Sequence, residues 1–171
     1  MHMDKDTFLS VAASTPFVSI DLIVRNEQGQ VLLGYRRNRP AQDFWFVPGG
    51  RIRKNERTQD ALQRIARNEL GIEASGGTLI GVFDHFYDDN FYGTPDIGTH
   101  YVVCAYQWQV AANASLAHDD QHAELRWWDV ATLLASPQVH PNTKLYFCKT
   151  PDNGFRCKCP DTPASATVPG T

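Results

Sequence analysis

Short runs of hydrophobic residues predict β-strands in the first third of the chain. Phe17–Val24 (FVSIDLIV) and Val31–Arg36 (VLLGYR) are rich in β-branched and aliphatic residues. The segment between them, RNEQGQ, contains Gly29, which favours a turn. The two runs therefore predict a hairpin. The run FWFV predicts a third short strand, which ends at the sequence Pro48-Gly49-Gly50.

A helical spacing of apolar residues follows. Thr58–Leu70 predicts a helix, which ends where Gly71 can serve as a left-handed cap. Four apolar residues share one face of this helix: Ala61, Leu62, Ile65 and Ala66. Glu69 falls on the same face, where an unpaired buried carboxylate would cost several kcal/mol. Glu69 should therefore form a salt bridge, to Arg64 or Arg36, or bind a metal ion.

The remaining pattern predicts an α/β sandwich. Three further strands are expected at LIGVFDHFY, HYVVCAYQWQV and AELRWWDV, followed by short helical segments around VATLLAS and TKLYFCK. From Pro151 onward the chain holds four prolines among small polar residues, which is typical of disorder. We expect one domain over residues 1–150 and a disordered tail over residues 151–171.

Composition narrows the functional classes. A chain of 171 residues with 42% hydrophobic content supports one sizeable core, and a net charge of -3 gives no polybasic surface for nucleic acid or an anionic membrane. The sequence shows no basic, apolar leader and no membrane-spanning apolar stretch, so we expect a soluble cytoplasmic protein. Its four scattered cysteines favour free thiols, and the lone Cys157-x-Cys159 is a weak metal motif.

The predicted helix carries a spaced motif. Gly50, Glu56, Arg64, Glu69 and Gly71-Ile72 match the spacing G-x5-E-x7-R-x4-E-x-G-U, where U is aliphatic. This resembles the Nudix box, G-x5-E-x7-R-E-U-x-E-E-x-G-U. Two of the three glutamates that follow the arginine in that box are replaced here, the first by isoleucine at position 65 and the second by asparagine at position 68. The usual cluster of several metal ions could not assemble on this helix.

Segments outside the box resemble one branch of the Nudix enzymes. STPFVSIDLIV, NRPAQDFWFVPGGRI, HFYDDNF, THYVV and DDQHAELRW are similar to the GDP-mannose mannosyl hydrolase family, and the likeness covers about Phe8 to Phe147. The resemblance implies a Nudix-type α/β/α sandwich with a mixed central sheet, and a homodimer. It also implies hydrolysis of GDP-mannose or GDP-glucose to GDP and the free sugar, by attack of water at the anomeric carbon with inversion.

The same resemblance implies one Mg²⁺ per subunit, for which Mn²⁺ can substitute. Its ligands would be the Gly49 carbonyl, the Glu69 carboxylate and the Gln121 side-chain oxygen, with diphosphate oxygens completing the shell. Mg²⁺ prefers six oxygen ligands and often keeps waters or substrate oxygens, so a single carboxylate does not exclude a magnesium site.

Catalytic roles follow from the resemblance as well. His122 would be the general base, since a histidine near its ordinary pKa of about 6.5 can accept a proton from water. Arg36 would contact the diphosphate, and Arg51 would assist departure of the leaving group. By sequence alone, Arg37 and Arg39 are best interpreted as surface charges or structural pairs.

Three polar residues, Asp21, His85 and Tyr101, interrupt apolar strands. In isolation each would be a satisfied core or rim group, but the resemblance places all three near the substrate and leaving group. It also places Phe8 against the nucleotide, where the ring could stack on guanine. Glu56 and Arg64 predict a scaffolding ion pair. His100 is expected to be structural, and His140 has no predicted role.

Two other functions remain open at this point. The first is a Nudix pyrophosphohydrolase that attacks phosphorus in a nucleotide sugar, which the residues at positions 65 and 68 argue against. The second is a non-catalytic nucleotide-binding Nudix module, which the combination of Glu69, Gln121 and His122 argues against.

Overall fold

The computed structural model describes residues 3–73, 76–110 and 122–148, without the side chains of residues 122 and 123. The predicted tail from Pro151 and the predicted ligand Gln121 lie outside the described residues. The elements in chain order are α1 (Lys5–Ser14), β1 (Phe17–Arg25), β2 (Val31–Arg36), β3 (Trp45–Phe46), β4 (Gly49–Arg51), α2 (Thr58–Leu70), β5 (Thr78–Tyr87), β6 (Thr99–Gln109), β7 (His122–Trp128), α3 (Val130–Ala135), α4 (Pro141–Lys144) and the 3₁₀ helix η1 (Leu145–Phe147).

The strands form one mixed sheet, as expected for an α/β fold. β1 runs parallel to β6, and β6 pairs antiparallel with β5. β1 and β2 meet only at the pair Arg25–Val31, beside the predicted hairpin turn. Beyond that pair β1 continues with β4, whereas β2 continues with β3 and also pairs with β7. The sheet therefore divides into two halves, and β3 and β4 lie where the halves diverge.

Each face of the sheet has its own hydrophobic core. Helix α2 covers one face with the stripe predicted from the sequence. Its predicted end is confirmed, because Gly71 has a φ of 68° and its N–H bonds to Arg67 O. On the opposite face, side chains of the sheet such as Leu33 of β2 and Phe46 of β3 pack with Leu133 of α3.

Two elements were not predicted from the sequence. Helix α1 begins after Asp4, whose carboxylate accepts from Thr7 N at 2.9 Å, and it buries only Phe8. Strand β4 occupies the Gly-Gly-Arg segment where a strand was expected to have ended. No helix in the described ranges is both long and apolar enough to cross a membrane.

Candidate functional site

The divergence of β1 and β2 places Asp21 beside strand β4. Asp21 pairs in register with Gly49, and a Cβ added at Gly49 would lie 2.5 Å from Asp21 Oδ1 and 2.6 Å from the Ile20 carbonyl oxygen. Only a glycine allows this approach, because any side chain would meet both the carboxylate and the backbone of β1. The backbone of Gly49 and the carboxylate of Asp21 therefore share one small region.

Asp21 and His85 belong to one hydrogen-bonded cluster, although they lie on β1 and β5. Tyr146, from η1, joins them: its hydroxyl donates to Asp21 Oδ2 at 2.6 Å and lies 3.1 Å from His85 Nε2. His85 is only 1% exposed, so the cluster is closed to bulk water on the histidine side. No sequence pattern pointed to Tyr146, whose segment TKLYFCK carries only a helical spacing.

Burial governs the protonation of this cluster. It raises the pKa of Asp21 to about 7, even though the hydrogen bond from Tyr146 and the charge of Arg36 favour the ionised form. Burial also lowers the pKa of His85, to about 3. The His85 imidazole is therefore neutral at physiological pH, whereas the Asp21 carboxyl gains or loses its proton close to physiological pH.

Tyr101 lies between Phe17 and His85 in the strand register. Its ring contacts those of Phe17 and Tyr87, with centroids 5.5 and 5.9 Å apart. Burial raises the pKa of Tyr101, opposed by the charges of Arg51 and Arg36, so its hydroxyl stays protonated. Asp21, His85 and Tyr101, which the family resemblance places near the substrate, thus lie on the same face of the sheet.

His140 also contributes to this face, although the sequence assigned it no role. Its ring contacts those of Phe44, Phe46 and Tyr87, and Nδ1 accepts from the N–H of Asn142 at the start of α4. Burial and the charge of Arg36 lower the pKa of His140 to about 4. A neutral ring packed against three aromatic rings is suited to shape the site rather than to carry charge.

Arg36 and Arg51, which were predicted to contact the diphosphate and to assist the leaving group, both lie against aromatic rings. The Arg36 guanidinium lies 5.4 Å from the centroid of Phe46. The Arg51 guanidinium lies 5.4 Å from the ring centroid of Phe8 and 5.1 Å from that of Phe17. Such cation–π contacts restrict the side chain without neutralising its charge. Both guanidinium groups keep their charge for an anionic ligand.

Phe8 lies in a different setting from the one the resemblance implied. Its ring is 3% exposed and stacks on Phe17 at 5.1 Å, with Tyr92 packed edge-on at 5.4 Å. The ring is thus covered by the protein's own side chains. Stacking of Phe8 on a guanine base would require α1 to move, whereas its contact with Arg51 is already formed.

The helix that carries the Nudix-like motif is tied to β4 through Arg64. The Arg64 guanidinium donates to both Glu56 oxygens, at 2.6 and 2.8 Å, and to the Arg51 carbonyl oxygen at 2.9 Å. The predicted scaffolding ion pair between Glu56 and Arg64 is confirmed. The pair lowers the pKa of Glu56 to about 2, chiefly through the hydrogen bond from Arg64.

The two substituted positions of the motif differ in their surroundings. Ile65 is 1% exposed and packs on β4, since a Cβ added at Gly50 would lie 3.2 Å from Ile65 Cγ1. Asn68 is exposed to solvent. Glu69 lies one turn beyond Ile65 on the same buried face and is 5% exposed, as the helical spacing predicted.

The residues present fit the magnesium ion that the resemblance implies. A backbone carbonyl at Gly49 and a carboxylate at Glu69 are the oxygen ligands that Mg²⁺ prefers. Gly49 approaches β1 so closely that no Cβ fits, which places its backbone directly beside Asp21. Among the described side chains, no three histidines, cysteines or acids cluster as an all-protein metal site. A site of this composition depends on oxygens from a substrate to complete the shell.

His122 opens β7, and its backbone pairs with that of Arg36 across the sheet. Its side chain lies outside the described part of the structure. The predicted base and the predicted diphosphate contact are therefore neighbours in the strand register.

Polar residues outside this region form ordinary surface pairs. Arg39 binds Asp89 at 3.1 Å, and His100 Nε2 lies 2.8 Å from Asp84 Oδ1 while its ring stacks on Phe86. The structural interpretation of Arg39 and His100 is confirmed by these contacts. Arg37 is exposed.

Known proteins share this fold and this sequence pattern. The family model described as NUDIX domain matches residues 15–147. The low-salt glycan biosynthesis protein Agl8 of Haloferax volcanii is 41% identical over 121 residues, which cover 71% of this chain and 76% of that protein.

Solved structures agree at the level of the fold. A MutT protein from Methanosarcina mazei superposes with a TM-score of 0.65 at 20% identity, covering 78% of this chain and 92% of that one. A MutT Nudix hydrolase from Burkholderia pseudomallei gives 0.64 at 24% identity, covering 78% and 96%. Because the family model spans all the strands described above, the chain belongs to the Nudix hydrolase family.

Proposed function

We propose that this Nudix hydrolase cleaves GDP-mannose, and also GDP-glucose, to GDP and the free sugar by attack of water at the anomeric carbon with inversion. The observation that carries the proposal is Ile65: the position where the Nudix box has its first metal-binding glutamate is filled by a buried side chain packed on Gly50. Helix α2 thus offers Glu69 alone from that trio, which suits one ion on a diphosphate rather than a cluster that activates water at phosphorus.

A nucleotide sugar is also consistent with the relative from Haloferax volcanii, whose name assigns it to glycan biosynthesis. Glycan assembly consumes sugars that are activated as nucleoside diphosphate sugars. The substrate class therefore agrees with the role in that relative's name, while the identity of the base and sugar rests on the sequence resemblance.

The metal ion would be held by the Gly49 carbonyl, the Glu69 carboxylate and the Gln121 side chain. When bound, Mg²⁺ supplies positive charge that stabilises the diphosphate as it departs. GDP is a good leaving group, so no protein acid has to protonate it. Arg36 and Arg51 add charge that their aromatic contacts have already oriented, and preorganised charge of this kind is the largest contribution in many enzymes.

His122 would accept the proton of the attacking water. Its backbone lies beside that of Arg36 in the sheet, which supports a place near the diphosphate. Asp21, His85 and Tyr101 would bind the sugar and leaving group from the opposite half of the sheet. The neutral His85 can accept a hydrogen bond from a sugar hydroxyl through Nδ1, and the protonated Tyr101 can donate one to a sugar or phosphate oxygen.

We also expect a homodimer, as the resemblance implies. Strand β5 is an edge strand in the described sheet and exposes four large hydrophobic side chains: Leu79, Ile80, Val82 and Phe86. An exposed apolar edge strand is a ready surface for association.

Product analysis tests the proposed reaction. Incubation with GDP-mannose and Mg²⁺, followed by ³¹P NMR and sugar chromatography, should give GDP and mannose. His122→Gln should slow this turnover by at least about tenfold near neutral pH, because a general base contributes about 10²- to 10⁴-fold. His100→Gln, at the surface pair with Asp84, should retain the wild-type rate. GMP and mannose 1-phosphate as products would instead indicate a pyrophosphohydrolase.

A further inference from the structure

Tyr146 links the two strand residues of the candidate site from the far end of the described chain. Its hydroxyl lies within hydrogen-bonding distance of both Asp21 Oδ2 (2.6 Å) and His85 Nε2 (3.1 Å). No motif or resemblance pointed to this residue. Its contact with Asp21 spans 125 positions in sequence, so only the folded chain brings the two together.

The proton count of this contact defines the state of His85. In the structure the single proton of the Tyr146 hydroxyl is donated to Asp21, as it must be whenever the carboxylate is ionised and can only accept. The Tyr146 oxygen can then only accept from His85, whose Nε2 must carry the ring proton. The chain of donors therefore runs from His85 through Tyr146 to Asp21, and each bond strengthens the next.

The packing of the Tyr146 ring fixes where its hydroxyl lies. Phe83 packs edge-on against the ring with centroids 4.9 Å apart, and the His85 ring lies 5.7 Å away. These contacts involve the ring and not the hydroxyl. Loss of the hydroxyl alone should therefore leave the ring in place.

Tyr146 also gives the two carboxylate oxygens of Asp21 different surroundings. Oδ2 is bound by the tyrosine, whereas Oδ1 points to the backbone of Gly49, with only 2.5 Å between it and a Cβ that would be added there. A carboxylate held at one oxygen presents the other in a fixed direction. Here that direction is toward β4, where the proposed substrate diphosphate would bind.

We infer that Tyr146 is a positioning residue that fixes the orientation of the Asp21 carboxylate and keeps His85 as the Nε2–H tautomer. The effect on turnover rests on the proposed function, whereas the effect on His85 does not. Tyr146 itself need not touch the substrate.

The variant Tyr146→Phe tests this role because it removes only the hydroxyl. The matched control is Tyr106→Phe, in which the same atom is removed from a ring that packs against the α2 core. We expect kcat for GDP-mannose to fall by about 10- to 100-fold in Tyr146→Phe, as for a lost hydrogen bond to a charged group, with KM changed less than about threefold. Tyr106→Phe should retain wild-type kcat. An unchanged kcat in Tyr146→Phe would overturn the inference.

The tautomer of His85 provides a readout that a purely structural role would not alter. Long-range ¹H–¹⁵N NMR of ¹⁵N-histidine-labelled protein, recorded above the Asp21 pKa, should show wild-type His85 as the Nε2–H form. In Tyr146→Phe that proton should exchange faster with water or the tautomer ratio should shift. Wild-type His85 in the Nδ1–H form, or an unchanged His85 signal in a slow Tyr146→Phe variant, would contradict the positioning role.

The two measurements separate failure of this inference from failure of the proposed function. If the wild-type protein does not hydrolyse GDP-mannose, the proposed function is wrong, and the His85 signals in wild type and variant decide the positioning role. If Tyr146→Phe does not fold, the wild-type spectrum alone decides it.

Discussion

At the scale of single residues, Ile65 and Asn68 both depart from the Nudix box but differ in how they contribute to packing. Ile65 is part of the hydrophobic core and contacts the backbone of β4, whereas Asn68 faces solvent. Only the first substitution is built into the packing of the protein. Restoring glutamate at each position should therefore have very different consequences.

Ile65→Glu should lower the free energy of unfolding by about 3–5 kcal/mol, because it places an uncompensated carboxylate in the core and removes apolar contacts. Asn68→Glu is the matched control and should change stability by less than about 0.5 kcal/mol, as is usual at exposed positions. Urea unfolding monitored by tryptophan fluorescence measures both. An Ile65→Glu protein as stable as wild type would mean that the site readily accepts a second acid.

Some of the site residues were predictable and others were not, for reasons of geometry. Asp21 and His85 stand out in the sequence because each interrupts an apolar strand, and the structure brings them into one cluster. Tyr146 gives no such signal, because a tyrosine in a short helical segment usually packs in the core. Its hydroxyl gains a role only when η1 folds back over β1 and β5.

At the scale of elements, the contact between β4 and β1 determines where the Gly49 carbonyl lies. Gly49→Ala should lower the free energy of unfolding by about 1–3 kcal/mol, since its Cβ would lie 2.6 Å from the Ile20 carbonyl oxygen and force the strands apart. It should also reduce Mg²⁺-dependent turnover, because it displaces a proposed ligand. Thermal unfolding and activity assays measure both effects.

Gly77→Ala is the control for this variant. A Cβ at Gly77 would meet its nearest neighbour at 3.5 Å, an ordinary contact, so stability and turnover should remain those of wild type. Wild-type behaviour of Gly49→Ala as well would show that β4 has freedom the structure does not display.

The ion pair between Glu56 and Arg64 should make α2 docking depend on pH. The pKa of Glu56 is lowered from 4.5 to about 2 in the folded protein. The stability it contributes is therefore complete above pH 4.5 and is lost as pH falls toward 2. The difference in free energy of unfolding between wild type and Glu56→Gln should shrink across this range.

Glu73→Gln supplies a comparison, since Glu73 forms an exposed ion pair with Arg67. Such pairs contribute about 0–1 kcal/mol, so this variant should stay close to wild type at every pH. A Glu56→Gln difference that remained constant into the acid range would contradict the role given to the Arg64 pair.

The elements that could be predicted are those whose side chains carry a periodic pattern. Helix α2 was predicted with the bounds observed, because its apolar stripe and Gly71 define both its face and its end. Helix α1 escaped prediction because it buries only Phe8 and has no stripe. Strand β4 escaped because a Gly-Gly-Arg segment pairs through its backbone alone.

At the scale of the whole molecule, the divided sheet brings the site together. Asp21, His85 and Tyr101 come from the β1, β5 and β6 half, and Arg36 comes from the β2 half. The sequence predicted the α/β class and most strands, but not this division. It arises from long-range register between β1, β2 and β4, which no local pattern encodes.

The central claim is that water attacks carbon rather than phosphorus. Hydrolysis of GDP-mannose with Mg²⁺ in H₂¹⁸O, with mass spectrometry of the products, tests it directly. The account predicts that the label appears in mannose and that the released GDP contains none. Label in a phosphoryl product, with GMP and mannose 1-phosphate released, would contradict it.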